Sequence, residues 1–393
     1  CKITGFYTNI RIGRETKMNE KEIAEIRRRF RGDKSNINHI RGCYVNEKRE
    51  IISQFDQALS MMPQEETENM LGVLKRTLSG TLGKNLIDIS FATQQVVDSD
   101  EHRLLMALRD SALKEEEMVQ VFFQRVIETL ALEGNYLILL AYDTYDIPFR
   151  SRDGETQKDA SSEVYSYILC SICPVKMTKP MLSYDVPQNT FHNRDVDWIV
   201  APPELGFLFP AFDDRSANIY NALYYSRNIE ENHQEFVDTV FRTELPMPAA
   251  VQKETFQGLL AETLEEDCSL DVVQAVNEQL CSMMEEHKAN KEEEPLVISR
   301  GTVKRVLESC GVAEEHVAAF EEKYESEFGA ETELRPVNLV EKQFEVRTPD
   351  VTIQVNPERG DLIETRVIDG KRYILIHAEA GVEVNGVPVR ILS

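Results

Sequence analysis

Residues 134–146, GNYLILLAYDTYD, residues 164–174, VYSYILCSICP, and residues 206–216, GFLFPAFDDRS, decide the fold. Each is a near-continuous apolar run that closes on acidic or turn residues. Strands of that kind are buried on both faces and need helices as cover. The three runs therefore predict a central sheet over about residues 136–227, with carboxylates at its ends and the preceding helices packed against it.

Working outward, Asn19 and Glu22 have the spacing of a capping box just after Met18, so a helix is expected there with Ile23, Ile26 and Phe30 on its inner face. Arg27, Arg28 and Arg29 at its end suit the macrodipole. Residues 1–17, CKITGFYTNIRIGRETK, are read as a non-native or disordered leader. NINHIRGCYV and EIISQF, separated by residues 46–49, read as a hairpin, and Pro63 opens a helix carrying Met70, Leu71, Leu74 and Leu78 that ends before Gly80. Residues 86–91 form a further strand candidate. One helix is expected from about Ser99. Another is marked by Met118, Val119, Phe122, Phe123, Val126, Ile127 and Leu130. Residues 151–162 read as a polar loop between two strands. A helix with Phe236, Val237, Val240 and Phe241 follows, then the turn LPMPAA and a helical hairpin reaching about His287.

The segment KANKEEEP, residues 288–295, combines charge with a terminal proline and reads as a linker. Beyond it, two helices flank Gly311, and the pattern then switches to short strands. Asp369-Gly370 and Asn385-Gly386 supply the positive-φ residues of tight hairpins. The fold class is α+β: a helix-covered central sheet ending in a helical hairpin (18–287), a linker (288–295), and a small C-terminal helix pair with an antiparallel sheet (296–393). At 393 residues, two or three packed units are expected.

Hydrophobic residues make up 42% of the chain and charged residues 28%, as in an ordinary soluble protein. The formal charge of -24 disfavours partners held through phosphates, so direct nucleic-acid binding and anionic membranes are not expected. Seven scattered cysteines do not form a disulfide framework, which suits a cytoplasmic location. No run approaches the ~18 apolar residues of a spanning helix.

Chemistry is sparsely encoded. SGTLGKN, residues 79–85, lacks the first glycine of a phosphate loop and the hydroxyl after its lysine, and reads as a helix terminus. Cys170 and Cys173 have metal or redox spacing, but strand alternation puts them on opposite faces, so buried inert thiols are the better reading. Asp143 and Asp146 after one strand, with Asp213, Asp214 and Arg215 after another, would gather carboxylates at one sheet edge if the strands run parallel. Such a cluster could hold Mg²⁺ or Mn²⁺ and activate water, with Arg215 neutralising a phosphoryl or carboxyl group. Asp after a strand also commonly starts a turn. The dispersed histidines contain no HExxH, and no G-x-S-x-G elbow is present. The helices around Gly311 have helix-turn-helix spacing, but the second one displays glutamates where a groove reader needs cations.

EIAEIRRRF, LSGTLGKNLIDI, SYILCSICPVK, GFLFPAFDDRS, PMPAAVQKETFQ and TPDVTIQVNPER together resemble an uncharacterised bacterial family from gram-positive anaerobes, a domain of unknown function. That resemblance covers residues 18 to about 391 and carries over no catalytic residue. The order of helices, paired strands, helical hairpin and terminal sheet is also similar to the bacterial nucleoid-associated protein family. This likeness implies a cytoplasmic protein found with the chromosome, an association that the acidic surface would route through protein partners.

The expected function is binding or interaction with protein partners, without a cofactor. The alternative is a divalent-metal-dependent phosphodiesterase or nuclease-type hydrolase. It would use Asp213, Asp214 and Arg215 in catalysis, and Asp143, Asp146, Asp213 and Asp214 as ligands to Mg²⁺ or Mn²⁺.

Overall fold

The Asn19 side chain accepts the backbone N–H groups of Lys21 and Glu22, while Glu22 reaches back to the Asn19 N–H. This reciprocal cap starts α1 (Glu20–Arg27) where the spacing places it. The computed structural model describes residues 17–150, 156–231, 233–290, 295–330, 332–340, 344–355, 357–378, 381–384 and 387–389. The expected leader, apart from Lys17, and the Asn385-Gly386 turn lie outside the described residues.

Four segments follow α1: the hairpin β1 (His39–Val45) and β2 (Ile51–Ala58), then α2 (Gln64–Arg76) and β3 (Leu86–Ser90). Three helices come next, α3 (Thr93–Asp98), α4 (Asp100–Asp110) and α5 (Glu116–Thr129). The long strands β4 (Asn135–Arg150) and β5 (Thr156–Met177) lead to the short β6 (Met181–Asp185), β7 (Thr190–Arg194) and β8 (Trp198–Val200). β9 (Leu205–Phe209), β10 (Ala211–Asp213), β11 (Ser216–Asn218), β12 (Asn221–Ser226) and α6 (Gln234–Val240) complete this part. Residues 156–162, expected in a polar loop, belong to β5. Main-chain pairing with β4 extends past the apolar run, as with Phe149 opposite Gln157, and needs no apolar side chain.

The sheet has the order β2-β1-β4-β5-β9-β12-β3, with β8 added along the end of β5, and each of its strand pairings is antiparallel. Strand alternation sorts its side chains into two cores. Ile138, Leu140, Ile168, Cys170, Ile172 and Phe207 face α4, α5 and α6 on one side. Leu139, Ala141, Tyr165, Tyr167, Leu169 and Cys173 face α1 and α2 on the other. A sheet with helices on both faces explains the near-continuous apolar runs.

The C-terminal end of α2 lies close against the sheet at Gly206. Its C-cap residue Thr77 shares a buried 2.6 Å hydroxyl hydrogen bond with Ser171 of β5. A Cβ on Gly206 would collide with the Cys170 carbonyl oxygen and stand 2.6 Å from Thr77 Cγ2. Only glycine fits at that position.

The chain divides between Pro248 and Ala249. α7 (Ala249–Leu264) and α8 (Leu270–Asn290) share a third core with α9 (Arg300–Ser309), α10 (Glu314–Phe328) and α11 (Pro336–Leu339). Phe256, Leu260, Val276 and Leu280 of the helical hairpin interlock there with Val303, Leu307 and Phe320. A boundary follows where the apolar faces are satisfied, and the charge run follows only solvent exposure. Six strands then form three hairpins: β13 (Phe344–Arg347) with β14 (Thr352–Val355), β15 (Ile363–Ile368) with β16 (Lys371–Ile376), and β17 (Val382–Val384) with β18 (Val387–Val389). The expected antiparallel pairing is present, with Asp369 and Gly370 at φ 49° and 75° in the β15–β16 turn. Among the described residues, however, the hairpins remain separate two-stranded units rather than one sheet.

Candidate functional site

Asp143 and Asp146 lie on β4, and Asp213 lies in β10, just beyond β9; neither β4 nor β9 runs parallel to its neighbours. β4 and β9 both lie antiparallel to the intervening β5, so these two next-nearest strands share a direction. Asp143 and Asp213 therefore do reach the same end of the sheet. There α1 brings Glu22 and Glu25, one turn apart, and Arg29 follows just past its C-cap residue Arg28.

Asp143 is buried and saturated. Arg29 donates to it through Nε at 3.2 Å and Nη2 at 3.3 Å, the Tyr167 hydroxyl at 2.7 Å, and the backbone N–H groups of Asn36 and Thr144 at 2.9 Å each. Arg29 also donates to the Thr144 carbonyl and lies 4.5 Å from the centre of the Tyr145 ring. The arginine cluster is thus only partly an affair of the helix end, because Arg29 turns inward. A buried carboxylate is tolerated when it is paired and its lone pairs are filled. Burial beside this charge pushes the Tyr167 hydroxyl well above its usual range.

Asp213 occupies a second centre. It accepts from Asn218 Nδ2 at 3.0 Å and lies beside Glu22. Asp214 and Arg215, at φ 47° and 56°, form the two-residue turn from β10 to β11, a conformation that non-glycine residues rarely hold. Their backbone N–H groups favour the charged form of the Glu22 carboxylate, which also caps α1. Burial, with help from the Asp213 charge, raises Glu22 to about 7 against the pull of these N–H groups. Arg215 donates to both Glu25 oxygens, at 2.9 and 2.8 Å, and to the Pro148 carbonyl, while the Tyr145 hydroxyl donates to Glu25.

The four proposed ligands do not assemble. Asp146 is exposed and, by alternation, lies on the sheet face opposite Asp143. Asp214 is also exposed, at the turn. Among the described residues no three His, Cys, Asp or Glu side chains form a metal-holding group. Arg215, the predicted phosphoryl partner, is committed to Glu25. Cys170 and Cys173 are buried in the two different cores with the sheet between them, and burial raises the Cys170 thiol well above its usual range and Cys173 to about 12. They cannot bind one ion together. In the 79–85 segment, Gly80 at φ 100° sits against the Asn85 side chain, which donates to the Ser226 carbonyl; this is a turn into β3. A groove of about 160 Å³ in the second unit, lined by Gln274, Asn277, Glu278, Cys281 and Phe344 among others, is small beside the ~300–1,000 Å³ of typical small-molecule sites.

The other feature that stands out is apolar. β6 and β7 form a hairpin that, among the described residues, pairs with no other strand. Its register puts Leu182, Tyr184 and Phe191 on one face, with Tyr184 directly opposite Phe191 and their rings 5.0 Å apart. That face is uncovered: Leu182 is 67% exposed, Tyr184 47% and Phe191 65%. Met177, Met181, Val186, Val196, Trp198, Ile199 and Val200, before, within and after the hairpin, are exposed as well. A model of a family described as a domain of unknown function (DUF4317) matches residues 18–387. The chain belongs to this family. Among curated proteins, none matches it.

In this DUF4317 chain the polar cluster under α1 can fasten a helix and a strained turn to the sheet, since its buried carboxylates already have partners. The arm at 177–200 has the opposite character, with large apolar side chains lacking cover. Sequence reasoning merged that arm into the sheet. Its signals were Pro180 and Pro187 bracketing β6, and polar residues alternating with the apolar ones where the sheet strands are continuous. No helix among the described residues is long and apolar enough to cross a membrane.

Proposed function

We propose that the chain is a binding protein that docks onto protein partners through the arm at residues 177–200. The apolar face of Leu182, Tyr184 and Phe191 carries this reading. A two-stranded hairpin is marginal in water unless its apolar face is covered, and contiguous exposed apolar surface marks interaction sites in folded proteins. Aromatic residues of this kind dominate binding energy at interfaces. The engagement of Asp143 with Arg29 and of Arg215 with Glu25 favours binding over the hydrolase reading. An association with the nucleoid would run through such a protein partner, because a chain of charge -24 is repelled by phosphate.

The test compares the full chain with a Leu182→Ser/Phe191→Ser variant, each tagged and sized in extract of the native cells. The parent should run well above its 45.0 kDa monomer, and the variant should fall to the monomer position. Identical monomeric migration of both would end the binding reading. Substitutions at exposed positions cost within ~0.5 kcal/mol, so an unchanged unfolding midpoint verifies that the variant is folded.

A further inference from the structure

We infer that the turn between α7 and α8 is latched onto the start of α10 by a pH-sensitive clasp, in which Asp267 holds both Ala313 and His316. The clasp replaces a cap that the helix does not carry itself.

α10 starts from Ala313, whose methyl side chain accepts no hydrogen bond. In a capping box, the N3 side chain is a carboxylate or amide that reaches back to the N-cap N–H. Here N3 is His316, and the carboxylate comes from Asp267 in the short 3₁₀ turn Glu265–Asp267, 46 residues before Ala313. Its Oδ2 accepts the Ala313 N–H at 2.9 Å and lies 2.8 Å from His316 Nδ1. One oxygen thus ties the α7–α8 turn to the helix at two points. The macrodipole favours an anion at this end as well.

The two halves of the clasp respond differently to pH. The Ala313 N–H is permanent, whereas imidazole is the side chain that changes charge nearest neutrality. With Nδ1–H donating in either form, protonation of the ring converts a neutral hydrogen bond into a charge-assisted one. The pair is partly sheltered, with His316 19% and Asp267 34% exposed, so it holds its geometry and still exchanges protons with solvent.

The hydrogen bond to Asp267 holds His316 above its ordinary 6.5, and the charges of Asp267, Glu315 and Glu265 add to it against partial burial. The Ala313 N–H, and then His316, hold Asp267 below its ordinary 3.8. The other charges on the packed elements are engaged elsewhere or exposed. Glu262 of α7 pairs with Lys323, and Arg300 and Lys304 of α9 pair with Glu325 and Glu321 farther along α10. Glu308 and Glu314 act on Lys304, and Glu266 of the turn is exposed. A raised imidazole contributes stability that is complete below its unfolded value and is lost as pH rises through its folded one. A depressed carboxylate contributes stability that is complete above its unfolded value and is lost as pH falls through its folded one. The clasp is therefore tightest between pH 3.8 and 6.5 and loosens on the alkaline side. The apolar core beneath it does not titrate, so the turn and the first turn of α10 loosen while the helices stay packed.

Hydrogen exchange of the purified full chain, read as protection relative to the intrinsic rate at each pH, tests the clasp. Between about pH 6 and about pH 9, amides at 313–317 should lose about two- to five-fold in protection, the scale of a partly exposed ion pair. Peptides of β4 and β5, in the other unit, should keep theirs. His316→Gln retains a donor for Asp267 and removes the titration, so its protection should stay level over the same range. The His316 ring-proton resonance, assigned by its loss in that variant, should titrate above 6.5, and Asp267→Asn should bring the value back down. Parent protection that is level with pH, or a pH-dependent loss that persists in His316→Gln, overturns the inference. So does a His316 titration that Asp267→Asn leaves untouched.

Discussion

The Glu22 carboxylate caps its own helix, is favoured in its charged form by the N–H groups of the Asp214–Arg215 turn, and sits beside the Asp213 carboxylate. Burial and that neighbouring charge lift its pKa from 4.5 to about 7. A folded-state pKa above the unfolded value means that the native protein holds more protons between these limits, so stability contributed by protonated Glu22 is complete below pH 4.5 and is lost as pH rises through 7. Glu22→Gln keeps an acceptor for the turn and removes the ionisation. The variant should match the parent at acidic pH, and its thermal midpoint should exceed the parent's above pH 7. A difference that is flat with pH would reject this assignment. The capping box was legible because its two residues lie three apart and act locally. The Asp213 contribution was not, because it depends on a fold contact across nearly 200 residues. Arg215 and Glu25, 190 residues apart, were hidden for the same reason.

At the level of elements, the apolar runs revealed the buried strands and the helical stripes revealed their cover, because burial on both faces erases alternation. Strand order could not be read that way. Parallel and antiparallel neighbours bury the same residues, and the shared direction of β4 and β9 appears only once β5 is placed between them. The close seat of α2 on the sheet is another property of the assembled layers. Gly206→Ala would push a methyl group into the Cys170 carbonyl and Thr77, and should cost about 1–3 kcal/mol through overpacking. Urea unfolding would measure the loss, and a variant as stable as the parent would show that α2 can lift away without penalty.

For the whole molecule, the chain builds a sheet with two helical covers and, after Pro248, a separate helical core. The charged run at 288–295 begins at the end of the long helix α8, and a helix can end in charge and still keep its apolar face within one core. Leu280 is fully buried in the third core. Leu280→Ala should destabilise that core by about 2–5 kcal/mol, the range for cavity-forming truncations. Hydrogen exchange should show faster exchange in α7–α10 with unchanged protection in β4, β5 and β9. Equal loss in both regions would mean that the two units open as one.

The sheet's topology also bears on synthesis. β1 pairs with β4 about a hundred residues later, and β3 pairs with β12 of the described strands, so one edge of β1 and the ladder of β3 leave the ribosome long before these partners exist. At roughly 5–20 residues per second, β3 would wait on the order of ten seconds with open edges. The nascent chain thus passes through an interval in which its earliest strands depend on helices, or on chaperones, to keep from pairing with the wrong neighbour.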